Sequence, residues 1–161
     1  MFHFLFFLFA KHSYQLNHVS PNIFTDKSGQ CGENLTWNYD ELNHTLTITG
    51  YGAMFNYTNE FDIPWNNFSE SIEYLELAEE MTSISDFSFF ELKKLTTVFI
   101  PDLVTSIGSK SFAFCSNLSE ITFGSSLSHI APYAFYHCFS LTSINVSESN
   151  TNYQSRDGIL Y

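Results

Sequence analysis

The chain has 161 residues, a formal net charge of −11 and only six Lys and Arg residues. So few cations leave no basic stripe for phosphates, which argues against a nucleic-acid partner and disfavours anionic membrane surfaces. An apolar content of 44%, with 18% aromatic residues, points to a folded chain with a sizeable core rather than to disorder.

The N-terminus opens on MFHFLFFLFA, an apolar run of signal-peptide length that falls short of the roughly 20 residues needed to span a bilayer. It predicts a leader over residues 1–20 and a secreted or cell-surface location, although no Lys or Arg precedes the run and the small-residue pattern near Ala10 or Ser13 is a poor cleavage site. Sequons at Asn34, Asn43, Asn56, Asn67, Asn117 and Asn145 agree with passage through a secretory path. In a chain this rich in Asn, Ser and Thr some of them arise by chance. No second apolar segment is present, so no transmembrane anchor is expected. Residues 11–27 read as a short linker.

Over residues 28–65 the alternating segments Leu35 to Tyr39 and Thr45 to Thr49 flank a polar turn at Asp40 to His44, the pattern of a β-hairpin. This region is expected to cap the first of the repeats that begin at residue 66, with Trp37, Phe61 and Trp65 as its bulky covering residues.

From residue 66 to residue 146 the chain repeats with a period of 23: Met81, Val104 and Leu127 stand in phase, and so do most apolar residues after each of them. Repeats of this length build stacked solenoids. The strand register is carried by Leu95, Val98 and Ile100, which return as Leu118, Ile121 and Phe123 and again as Leu141, Ile144 and Val146, with Ile72, Leu75 and Leu77 ahead of them. Period-two alternation at these positions predicts short parallel strands with one buried face in at least four units. Behind them recur Ile84, Phe89 and Leu92, then Ile107, Phe112 and Cys115, then Ile130, Phe135 and Cys138. A single helical turn is expected to carry each Phe and the residue three positions on, so that neighbouring Phe rings stack. Each interior side chain buried between neighbours contributes roughly 1.5–3 kcal/mol before entropy is subtracted.

The tail, residues 147–161, contains Asp157-Gly158, a hairpin-turn pair. Ile159, Leu160 and Tyr161 then stand where a strand should continue, which leaves a capping element and a truncated module both open.

The spacings I107-G108-(x)3-F112-(x)2-C115-(x)2-L118 and I130-(x)4-F135-(x)2-C138-(x)2-L141 resemble the BspA-type leucine-rich repeat. The segment before the repeats, with Pro64-Trp65, and the tail NTNYQSRDGILY are also similar to that family, so the resemblance spans roughly residues 28–161. The first full unit departs from the pattern, with Ser85 for Gly and Leu92 for Cys. The resemblance implies a mainly β fold with short helical turns: a right-handed leucine-rich-repeat solenoid with a parallel β-sheet and an N-terminal β-hairpin cap. It also implies a surface protein in adhesion, whose partner is a host or extracellular-matrix protein or glycan.

No catalytic constellation stands out, and no cofactor is expected. Cys115 and Cys138 occupy equivalent positions in adjacent repeats and read as a ladder of packing thiols, and Cys31 as structural. His129, His137, Cys115 and Cys138 lack zinc-site spacing. Gly50-Tyr51-Gly52 lacks the third glycine of a dinucleotide loop and reads as a tight turn; Gly108 to Ser111 lacks the upstream glycine of a phosphate loop. Glu73, Glu76, Glu79 and Glu80 read as a solvated edge, without the glycine-turned loop of a calcium site.

The chemistry left to such a chain is recognition. If Leu95, Val98 and Ile100 face inward, alternation sends two rows outward: Glu76, Phe99, Thr122 and Asn145 in one, Tyr74, Thr97, Glu120 and Ser143 in the other. These are the candidate ligand-binding residues. A scaffold joining proteins inside the cell is the rival expectation, in which the N-terminal run becomes part of a core.

Overall fold

The computed structural model describes residues 27–161. The leader at 1–20 and all but the last residue of the linker at 11–27 therefore lie outside the described residues.

The chain first forms three strands, β1 (Ser28–Gln30), β2 (Gly32–Asp40) and β3 (Thr45–Met54), with β2 and β3 paired antiparallel as the expected hairpin. Its turn closes on Asp40, whose carboxylate accepts from Leu42 N (2.8 Å) and Asn43 Nδ2 (2.6 Å). The Asn43 bond first, and the Leu42 bond after it, hold the Asp40 carboxyl below its ordinary pKa. Two 3-10 turns come next, at Glu60–Asp62 and Asn66–Phe68.

Each unit beyond them contributes to two ladders. β4 (Tyr74–Glu76) stands in line with the first but hydrogen-bonds to β3 alone; β5 (Glu80–Ile84) begins the second. They continue as β6 (Thr97–Ile100), β7 (Ser106–Ile107), β8 (Glu120–Phe123), β9 (His129–Ile130) and β10 (Ser143–Val146). β6, β8 and β10 pair in parallel at the register Thr97↔Glu120↔Ser143, the period read from the sequence. β5, β7 and β9 form a second parallel ladder that side-chain alternation does not announce. The tail closes as a hairpin of β11 (Ser155–Arg156) and β12 (Ile159–Leu160) around Asp157 and Gly158, both at positive φ.

β3 pairs with both β4 and β5. Thr45 to Thr47 pair with β4, while Tyr51 to Ala53 pair with β5. Gly50, between these stretches, takes φ 107° and Gly52, inside the second, φ 90°, so the expected tight turn is instead a bend inside a strand. A Cβ on Gly50 would stand 2.0 Å from the Asn34 carbonyl oxygen, which leaves glycine as the residue that fits.

The core matches the predicted ladder. Ile107, Phe112, Cys115, Leu118, Ile121 and Phe123 are all fully buried. A spine of rings runs through it, Trp65 to Phe89 (5.8 Å), Phe89 to Phe112 (5.2 Å) and Phe112 to Phe135 (5.5 Å). Trp65 joins by donating Nε1–H to Ser88 O at 2.8 Å. Trp37 and Trp65 are buried as expected, whereas Phe61 is 79% exposed and covers nothing.

The helical turn expected around each Phe is not formed. Residues 87–91, 110–114 and 133–137 are turns in which two positions per unit adopt positive φ, as Phe87 and Glu91, Lys110 and Phe114, Tyr133 and His137. The reason lies in where the amides point. Phe89 N donates to Ser111 O and Phe112 N to Ala134 O, across to the next repeat, so they are not available for the axial bonds of a helix.

Candidate ligand-binding face

Alternation in β4, β6 and β8 decides the face, and β10 joins it by its register with β8. In β6, Val98 and Ile100 are buried while Thr97 and Phe99 are exposed; in β8, Ile121 and Phe123 are buried while Glu120 is exposed and Thr122 half-buried. Tyr74 and Glu76 are exposed on β4, and Ser143 and Asn145 half-buried on β10. The pairing registers place Phe99, Thr122 and Asn145 in one row and Thr97, Glu120 and Ser143 in the other. Tyr74 and Glu76 lie on β4, beside β6.

Two hydrogen bonds brace the acidic members. Asn145 Nδ2 donates to Glu120 Oε1 at 2.7 Å, and Thr47 Oγ1 donates to Glu76 Oε2 at 3.2 Å. The second bond adds residues to the face beyond those expected: Thr45 pairs with Tyr74 and Thr47 with Glu76, so β3 extends both rows, and Asn38 on β2 stands opposite Thr47. The signal is present in the alternation of residues 45–49, but a hairpin expected to cover the core gives no reason to count its outer side chains in the face.

Tyr74 and Phe99 are 59% and 50% exposed, large rings where small polar residues would suffice for a solvated strand. The rows contain carboxylates and no Lys or Arg. Lysines lie off the face, where Lys93 pairs with Glu70 (2.8 Å), Lys94 with Glu73 (3.0 Å), and Lys110 sits over the Phe87 ring.

The cysteines are packing groups. Cys115 Sγ donates to Phe89 O at 3.2 Å and Cys138 Sγ to Phe112 O at 3.0 Å, a repeated thiol-to-carbonyl bond, and the three described cysteines are free. Burial pushes the Cys115 thiol up, and raises Cys138 to about 11 and Cys31 to about 12, so the nucleophilic thiolate is disfavoured. Among the described residues no three His, Cys, Asp or Glu side chains gather as a metal site, and no helix is long and apolar enough to cross a membrane. A groove of about 220 Å³ beside β5 and β7 is lined in part by Ser83, Asp86 and His129, and one of about 380 Å³ lies along the hairpin at Glu33, Tyr51 and Phe55.

Of the sequons, Asn34, Asn43, Asn56, Asn67 and Asn117 are exposed. Asn145 is half-buried in β10 and holds Glu120, so a glycan there would break that bond and cover the face.

Stacked 23-residue units with one alternating strand face define a leucine-rich-repeat protein. The BspA-type leucine-rich-repeat region matches residues 42–156 in six copies, and the chain belongs to that family. Its structure is similar to that of a leucine-rich repeat protein from Eubacterium ventriosum ATCC 27560, with a TM-score of 0.53 and 23% identity over 84% of this chain and 48% of that one. A leucine rich cell surface protein from Faecalibacterium prausnitzii A2-165 matches at a TM-score of 0.31 and 14% identity, over 80% of this chain and 56% of that one. The chain thus spans about half the length of these two relatives. No match to a curated protein sequence reaches significance.

Proposed function

We propose that the protein is a non-catalytic surface or secreted protein that binds a protein or glycan ligand through the outward rows of β4, β6, β8 and β10. The observation that carries this reading is the registered, exposed face with Tyr74 and Phe99 half-exposed among polar neighbours. Aromatic rings supply contact area with little side-chain freedom to lose, and the flanking carboxyls and hydroxyls supply directional hydrogen bonds. Membership of the BspA-type leucine-rich-repeat family supports a binding role. In this reading the β1 to β3 hairpin caps the first repeat of a right-handed solenoid, and the leader directs export.

The test is binding to immobilised matrix proteins and a glycan array by wild type and by a triple variant, Tyr74→Ala, Glu76→Gln and Phe99→Ala. At least about a tenfold loss of affinity is expected where central aromatic residues are removed. Undiminished binding by the triple variant would exclude this face. A mobility shift with peptide-N-glycosidase tests export independently.

A further inference from the structure

The outward rows carry negative charge that no cation offsets. Glu76 on β4 and Glu120 on β8 are both exposed, and among the described residues neither belongs to an ion pair. Each is steadied by one donor, Thr47 Oγ1 on Glu76 Oε2 and Asn145 Nδ2 on Glu120 Oε1, which leaves the second oxygen of each carboxylate for a ligand. Lys27 is paired with Glu41 at the hairpin, the other described lysines lie off the face, and Arg156 belongs to the tail hairpin.

Phe99 stands between these two carboxylates. Its strand, β6, lies beside β4 on one side and pairs with β8 on the other. Glu76 precedes Phe99 by one repeat in the same row, and Glu120, which pairs with Thr97, is diagonal to it. Strands lie about 4.8 Å apart and alternate residues about 6.6 Å apart along a strand, so that diagonal is about 8 Å, within reach of a long side chain. Phe99 is half-exposed, and so is the Tyr74 ring on β4. An open ring flanked by two unpaired carboxylates suits a planar cation: the ring face attracts it, and the carboxylates accept its N–H groups in a fork.

Resting on the reading that these rows bind a ligand, we propose what that ligand brings: an Arg side chain on an extended polypeptide segment, laid over Phe99 between Glu76 and Glu120. Charge complementarity selects this occupant. A guanidinium supplies a flat cation with five donors, whereas a neutral sugar leaves both carboxylates uncompensated, and an anionic glycan is repelled by them and by a net charge of −11. Beyond Phe99 the outward positions are Thr122, Ser143 and Asn145, whose hydroxyl and amide groups can donate to and accept from a peptide backbone. From Phe99 to Asn145 the row crosses two strand spacings, about 10 Å, which three residues of extended chain cover.

Fluorescence anisotropy on the full chain tests it, with labelled eight-residue peptides in which Arg, Lys or Gln alternates with Ser. The Arg peptide is expected to bind at least about tenfold more tightly than the Gln peptide, and at least about twofold more tightly than the Lys peptide, which lacks the planar fork. Phe99→Ala, Glu76→Gln and Glu120→Gln should each weaken Arg-peptide binding about two- to fivefold. Glu33→Gln, which removes the same charge on β2 outside the rows, should leave it unchanged. The Gln variants keep the oxygen that accepts from Thr47 or Asn145, and all these side chains are exposed, so melting temperatures should stay at the wild-type value. An Arg peptide that does not bind, that binds no better than the Lys or Gln peptide, or that loses as much affinity with Glu33→Gln as with the face variants would overturn the inference. Glycan binding abolished by the triple variant, with Arg and Gln peptides bound alike, would overturn it and leave the binding face standing. Matrix-protein, glycan and Arg-peptide binding all undiminished in the triple variant would remove the face and this inference together.

Discussion

The coil that starts at Val104 and the coil that starts at Leu127 share residue types at matching positions, yet one is interior and the other is not. Phe112 has Phe89 on one side and Phe135 on the other, whereas Phe135 has Phe112 and, from the first strand ladder, Phe123. Burial here is a property of neighbours rather than of the residue. Stability should then behave as a sum of unit and interface contributions, with the largest penalties in the middle.

The strongest test of that contrast is the pair Phe112→Ala and Phe135→Ala. The first should lower unfolding free energy by about 3–5 kcal/mol. The second should cost about 1–2 kcal/mol, since less apolar area is lost. Urea denaturation of both variants reads the difference, and equal costs would contradict a neighbour-determined core.

Next in size are contacts that lock one coil on another. Gly108 leaves a Cβ only 2.4 Å from the Asp86 amide nitrogen, so Gly108→Ala should destabilise by about 1–3 kcal/mol through backbone displacement. Asn150 donates to Gly124 O (2.9 Å) and Leu127 O (3.0 Å) while accepting from Asn152 N and Tyr153 N, so Asn150→Ala should cost about 1–3 kcal/mol by removing these bonds from a buried site. Thermal melting measures both.

The cysteines sharpen the same comparison more gently. Cys138, half-buried, should react with a thiol reagent before Cys115, which is fully buried. Burial raises the folded pKa of Cys138 from its ordinary 9.0 to about 11, so its contribution to stability is full below pH 9 and is lost as pH rises through about 11. The alkaline decline should therefore be smaller in Cys138→Ala, as read by urea unfolding at pH 8 and pH 10.5.

The smallest effect is expected at Phe139, whose ring is mostly exposed. Phe139→Ser should change stability by no more than about 0.5 kcal/mol, although Phe112, another ring in the same repeat family, is among the most costly residues to remove.

The parts of this fold that were legible are those that depend on side-chain periodicity. Val98, Ile121 and Ile144 announce a strand register because alternation and a fixed period admit only one inward set, and the outward rows at Phe99, Thr122 and Asn145 are its consequence. The turns were not legible, because Phe, Glu, Lys, Tyr and His at positive φ contradict their own local preference. Phe61 and Trp65 look equally suited to cover a core in sequence, and only the path around Pro64 buries one and exposes the other.

The sequence by itself determined the stacking, the interior ladder and the candidate face, since a period of 23 with fixed apolar positions sorts side chains before any contact is known. The tertiary structure alone decided three further things. It put a bend at Gly50 and Gly52 that lets one strand pair with both β4 and β5, gave the turn residues their left-handed backbone, and left the last coil half-exposed. All three depend on contacts between segments far apart in the chain, where long-range hydrogen bonds override local preference and where burial depends on which neighbour is present.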